Sequence, residues 1–175
     1  MVINRDKRMA FISVPHTASR AVSSVLLALN GWESVCKQHS IIVPDGFSSW
    51  AVVRNPFDRM KGHWRTYLDH VHGRLQPAFN SFGDYMTWAQ TRLGLIARSM
   101  VLFMKPTTEV IYFEDISDNK LPQTTTGVFR QLEIPVIGKS NDTIPNESEY
   151  FETIFNQHLE DFETFGYASS VVGKV

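Results

Sequence analysis

The run Met9-Ala10-Phe11-Ile12-Ser13-Val14-Pro15-His16-Thr17-Ala18-Ser19-Arg20 decides how the rest of the chain is read. Met9 to Val14 is a short apolar stretch closed by Pro15, the pattern of a buried strand. Beyond the loop, Val22, Val25, Leu26 and Leu29 fall at i, i+3, i+4 and i+7, one face of an amphipathic helix, and Gly31 suits its end. The chain therefore opens strand, tight loop, helix. The first N–H groups of such a helix lack intrahelical partners and its dipole favours negative charge, so the loop is a candidate anion site. Pro15, His16, Thr17, Ala18, Ser19 and Arg20 supply small residues, hydroxyls and two side chains able to carry positive charge. The G-x-x-x-x-G-K-[ST] pattern of a Walker A loop is absent. Taken alone, an ordinary strand-to-helix turn with a surface arginine reads the same way.

The same pattern recurs downstream. Trp50 to Val53 is a second apolar run, followed at once by Arg54-Asn55-Pro56. Proline is well placed in the first turn of a helix, and Phe57, Met60, Trp64, Leu68 and Val71 mark that helix's apolar stripe. Ser81-Phe82-Gly83-Asp84 resembles a capping box before a helix to about Leu93. Val110 to Phe113 is a third strand candidate, ended by Glu114-Asp115. Gln123 to Leu132 is a further helix candidate. Phe151, Ile154, Phe155 and Phe162 predict a final amphipathic helix from about Glu147, and residues 72–80 and 135–146 read as loops. Strands alternating with helices predict an α/β protein, a mostly parallel sheet with helices on both faces, built as a single domain over residues 1–175.

Composition narrows the function classes. A chain of 175 residues, 43% hydrophobic and 12% aromatic, can bury a core without staples. Cys36 is the single cysteine, so no internal disulfide forms, which fits a reducing compartment. A net charge of −1 gives no basic field for nucleic acid. No apolar run approaches the ~20 residues that span a bilayer, and Met1 to Arg8 lacks a signal-peptide apolar region. The expectation is a cytoplasmic protein with no membrane span and no nucleic-acid partner.

Arg54 is the second candidate anion contact. It sits at the carboxyl end of a predicted strand, where open α/β sheets bind ligands, and its planar fork suits bidentate phosphate contacts. Lys61 and Arg65 read instead as a solvated helix face.

Together these segments resemble the sulfotransferases that use 3'-phosphoadenosine 5'-phosphosulfate (PAPS), particularly the branch that modifies carbohydrates. Phe11 to Ala21 is similar to that family's 5'-phosphosulfate loop, Pro-Lys-Thr-Gly-Gly-Thr-Ser. Val53-Arg54-Asn55-Pro56-Phe57-Asp58-Arg59 is similar to its 3'-phosphate motif, Val-Arg-Asn-Pro-Tyr-Asp-Arg. Ile111 to Ile116 resembles a later strand ending in Tyr-Glu-Asp-Leu, and Asp161-Phe162-Glu163-Thr164-Phe165-Gly166-Tyr167 resembles Asp-Phe-Glu-x-Phe-Gly-Tyr. The matches come in the family's order over about residues 9 to 167.

The resemblance implies a P-loop-NTPase-like fold and transfer of a sulfuryl group from PAPS to an acceptor hydroxyl, on a carbohydrate or small molecule. The products would be the sulfated acceptor and 3'-phosphoadenosine 5'-phosphate (PAP), and no metal is required. It assigns donor binding to Pro15, His16, Thr17, Ala18, Ser19, Arg20, Arg54 and Gly62. Five positions depart from the pattern. His16 stands for a lysine, Ala18 and Ser19 for glycines, Arg20 for a threonine. Gly62 replaces a serine that helps hold the 3'-phosphate, for which Arg59 or His63 are the available substitutes. His39, in Lys37-Gln38-His39-Ser40, is the candidate general base, with His16 beside the leaving phosphate and Glu33 a weaker base. A surface histidine reads equally well at position 39. A PAP-binding module without turnover and a small P-loop phosphotransferase remain alternatives. His63, His70 and His72 lack zinc-like spacing, and Trp64, Trp88, Phe151 and Phe155 read as core.

Overall fold

The three apolar runs are strands in the computed structural model, which describes residues 1–35, 42–71, 79, 81–91, 98–116 and 147–167. The strands are β1 (Val2–Asn4), β2 (Met9–Ile12), β3 (Trp32–Ser34), β4 (Ser48–Val53) and β5 (Glu109–Tyr112). The helices are α1 (Ser19–Ala28), α2 (Pro56–Val71), α3 (Phe82–Thr91), α4 (Glu147–Gln157) and α5 (Leu159–Phe165). The chain divides into two compact units, Met1–Arg54 with Met100–Gly138, and Asn55–Ser99 with Lys139–Val175.

The first unit holds a five-stranded sheet in the order β3-β1-β2-β4-β5. The strands read from the sequence, β2, β4 and β5, are parallel neighbours, with Phe11 opposite Trp50 and Val53 opposite Tyr112. The other two pairings, β1 with β2 and β1 with β3, are antiparallel. The sheet is therefore mixed, not mostly parallel as expected. The cause is local. A short turn joins Asn4 to Met9, too little chain for a parallel crossover, so β1 folds back on β2. The Asn4 side chain accepts the Lys7 N–H at 2.9 Å, and Arg8, at φ 49, completes the reversal. β1 and β3 are three-residue strands, and neither forms a long apolar run.

Val22 and Leu26 of α1 are fully buried and pack with Val2, Phe11, Trp32, Trp50, Val52 and Ile111. Burial of a Val or Leu side chain contributes about 1.5–3 kcal/mol. Phe11 and Trp50 touch across the β2–β4 pair, ring centroids 4.4 Å apart. Ala10, Ile12, Ala51 and Val53, on the opposite face of the sheet, are also buried. Leu29, expected on the apolar stripe of α1, is the exposed C-cap, where extended backbone turns it off the helix.

The second unit is helical among the described residues. The Asn55 side chain accepts the Phe57 N–H at 2.9 Å, which caps α2 ahead of Pro56. Ser81 does the same for α3, accepting the Asp84 N–H at 3.1 Å, so half of the predicted capping box forms. Phe57, Met60, Phe82, Tyr85, Met86 and Ile154 form the core, with Trp64, Trp88 and Phe151 packed against it as expected. The final helix, expected to be continuous, breaks at His158 (φ −119, ψ 25) into α4 and α5. The helix expected over 123–132 lies outside the described residues. Among the described residues no helix is long and apolar enough to cross a membrane.

Candidate functional site

The loop from Pro15 to Ala18 leaves the carboxyl end of β2 and enters α1 through a kinked backbone. His16 (φ 60) and Ala18 (φ 65) are both left-handed, with Thr17 between them outside that region and Ser19 already in the helix. Two non-glycine residues in this conformation within three positions is uncommon, and histidine tolerates it better than most side chains. Alternating backbone of this kind turns successive N–H groups toward one side, a concave nest suited to an anion. The N-cap of α1, Ala18, makes no side-chain cap hydrogen bond.

The loop hydroxyls brace it. Thr17, fully buried, donates from Oγ1 to the Val14 carbonyl at 3.0 Å. Ser13 and Ser23 hydroxyls lie 3.3 Å apart and tie the strand end to α1. Pro15 and Ser19 are buried, His16 and Ala18 half-buried, and Arg20 exposed. The exposed Arg20 and half-buried His16 are thus the loop's side chains able to carry positive charge.

Arg54 follows β4, the parallel neighbour of β2, so both candidate anion contacts lie in the first unit beyond the carboxyl ends of adjacent strands. Its guanidinium carbon lies 4.5 Å from the centroid of the Phe113 ring. Register explains the meeting. Val53 pairs with Tyr112, so Arg54 and Phe113 each leave the sheet one residue later. The sequence reading placed Phe113 at a strand end and gave it no role. The available signal was that both residues immediately follow strands.

Other expected site residues belong elsewhere. Gly62 lies within α2 in the second unit, where the Thr66 hydroxyl donates to its carbonyl at 3.0 Å. Glu33, on the edge strand β3, pairs with Arg5 at 2.5 Å. Lys61 is not a freely solvated side chain, since it pairs with Asp58 at 3.1 Å and lies 5.0 Å from the Phe57 ring centroid. Arg65 is exposed, as expected. His39, Cys36 and His72 lie outside the described residues. Among those described, no group of three or more His, Cys, Asp or Glu is arranged to hold a metal ion.

Arg59 and His63 are both engaged inside the second unit. Arg59 is fully buried, donates to the Arg98 carbonyl at 3.0 Å and lies 3.8 Å from Asp161. Burial pulls its pKa down to about 10, against the opposing pull of Asp161. Asp161 also accepts from the Ser99 hydroxyl at 2.7 Å and lies 3.3 Å from His158 Nδ1. His63 shares a hydrogen bond with the Tyr85 hydroxyl. Burial, with the Arg59 charge second, lowers its pKa to about 4, and burial raises that of Tyr85. At neutral pH His63 is an uncharged partner of a phenol.

The C-terminal motif has structural duties at most positions. Asp161 pairs with Arg59, the Phe162 ring meets that of Phe155 in a tilted contact with centroids 5.1 Å apart, and Phe165 is buried. Gly166 is left-handed (φ 65) and closes α5, with the Tyr167 N–H on the Phe162 carbonyl at 3.1 Å.

In comparisons with protein-family models, curated proteins and solved structures, nothing matches this chain.

Proposed function

We propose that this chain binds PAPS on a P-loop-like frame and moves its sulfuryl group to an acceptor hydroxyl, with a carbohydrate as the favoured acceptor class. The observation that carries the reading is the left-handed alternation at His16 and Ala18, directly before the N-terminus of α1. A loop built without glycine in this shape carries backbone strain of order 1–3 kcal/mol per residue, and such strain concentrates at ligand sites. In this scheme the N–H groups from His16 to Arg20 hold the 5'-phosphosulfate, and Arg54 holds the 3'-phosphate.

The reaction needs positioning and charge stabilisation more than covalent help from the protein. The acceptor oxygen attacks sulfur and the bond from sulfur to the bridging phosphate oxygen breaks. PAP leaves with the bonding pair, and the hydroxyl proton passes to a base, for which His39 is the candidate. In this scheme His16, as an imidazolium or through its imidazole N–H, meets the charge that develops on the leaving oxygen.

A second reading, a PAP-binding module without turnover, is favoured by the engagement of Arg59 with Asp161 and of His63 with Tyr85. Neither then supplements Gly62, which leaves Arg54 with the larger share of the 3'-phosphate. Thermal unfolding with PAP and with ATP, followed by a PAPS turnover assay on a panel of glycans, tests both. PAP should stabilise more than ATP through linkage of binding to folding. Sulfated product supports the enzyme, and PAP binding without product supports the module. Equal stabilisation by ATP overturns both.

A further inference from the structure

We infer that Phe113 is a positioning residue for Arg54, holding its guanidinium flat so that its N–H edge is presented to the 3'-phosphate. This rests on the donor-binding reading above. The guanidinium carbon stands 4.5 Å from the Phe113 centroid, well inside the roughly 6 Å range of a cation–π contact. Such a contact uses the face of the guanidinium, whereas phosphate recognition uses the in-plane N–H donors, so one side chain serves both. Both residues are half-buried, which strengthens the attraction over a fully solvated pair.

The backbone on either side is fixed. Arg54 lies between β4 and the Asn55 cap of α2, and Phe113 opens the 3-10 turn Phe113–Asp115 directly after β5. Phe113 also packs against the cluster of Phe11, Trp50 and Ile111, which anchors its ring. A long arginine side chain loses considerable rotamer freedom when it is fixed on a ligand. Stacking on an anchored ring removes part of that freedom before the ligand arrives, and binding tightens accordingly.

The test is calorimetric titration of the full chain with PAP and with adenosine 5'-phosphate, which lacks the 3'-phosphate. The proteins are wild type, Phe113→Leu, Phe113→Tyr, Arg54→Ala, and Arg54→Ala combined with Phe113→Leu. Phe113→Leu should shrink the preference for PAP over adenosine 5'-phosphate roughly three- to tenfold, as expected for loss of a cation–π contact. Phe113→Tyr, which keeps a ring, should retain it. On the Arg54→Ala background Phe113→Leu should have no further effect on that preference. A preference unchanged in Phe113→Leu, or an equal further loss without Arg54, overturns the positioning role while leaving the donor site intact. A wild type that does not distinguish the two nucleotides overturns the donor-binding reading, and the positioning role falls with it. If Phe113→Leu does not fold, Phe113→Met replaces it with the same expected outcome.

Discussion

Arg54 and Arg59 belong to one short motif, yet the chain puts them to opposite uses. Arg54 follows a strand in the first unit, half-buried, with its guanidinium over an aromatic ring. Arg59 lies in α2 of the second unit, fully buried, bonded to the Arg98 carbonyl and facing Asp161. The second holds helices together, and the first is the one proposed to meet a ligand. A basic residue in a recognisable phosphate motif is therefore no evidence of phosphate contact until its burial and partners are known. The same contrast divides the histidines, with half-buried His16 on a strained loop and His63 bonded to Tyr85.

The sharpest way to break the contrast is to delete each arginine. Arg59→Ala strands the Asp161 carboxylate in a buried setting and should cost about 3–5 kcal/mol, seen in urea unfolding as a large fall in midpoint. Replacing both partners, with Arg59→Met and Asp161→Leu, should recover much of the loss, since apolar substitution of a buried pair is often close to neutral. Arg54→Ala should cost less than about 1 kcal/mol. Equal costs at the two sites would dissolve the distinction.

His63 gives the next largest effect. Its folded pKa, about 4, lies below the reference value of about 6.5. The unfolded chain therefore takes up a proton first as pH falls, and the stability held by neutral His63 is lost between those two values. The loss reaches at most roughly 3 kcal/mol, and this histidine adds no pH dependence well above the window. Denaturant titrations of wild type and His63→Gln at pH 7 and pH 4.5 should show a smaller acid loss in the variant. Parallel losses would remove His63 as the cause.

Arg54→Ala should weaken PAP binding roughly ten- to hundredfold, the scale of a hydrogen bond to a charged group. An unchanged PAP affinity in the folded variant would remove Arg54 from the donor site. Smallest is Ala18→Gly. Relief of the left-handed backbone exceeds the entropic cost of glycine, so the variant should be more stable by about 0.5–1 kcal/mol. A lower melting temperature would contradict the strain assigned to this loop.

Much of the sheet was legible because Met9 to Ile12, Trp50 to Val53 and Val110 to Tyr112 are continuous apolar runs, the pattern of strands buried on both faces. Val2–Asn4 and Trp32–Ser34 were not legible, being three residues long and held mainly by pairing to β1 or β2. Local sequence carries no sign of such pairing. The break at His158 was hidden because Ile154 and Phe162 keep helical spacing across it. At the candidate site, the strand end and the start of the following helix were readable from Arg54-Asn55-Pro56, while the Asn55 cap was not. The fate of Arg59 was not, since it depends on Asp161, far away in the chain.

The hairpin at the start of the sheet also sets an order of assembly. Ile3 reaches Ala10 across a short turn, whereas Phe11 must find Trp50 after a helix and another strand have been laid down. Closing a short hairpin takes about 1–10 μs, while the longer closure pays more entropy before any contact rewards it. β2 thus acquires a neighbour on one side before its parallel partner arrives. Ile3→Val should slow refolding more than it speeds unfolding, and Val52→Ala should do the reverse, a difference stopped-flow chevrons resolve.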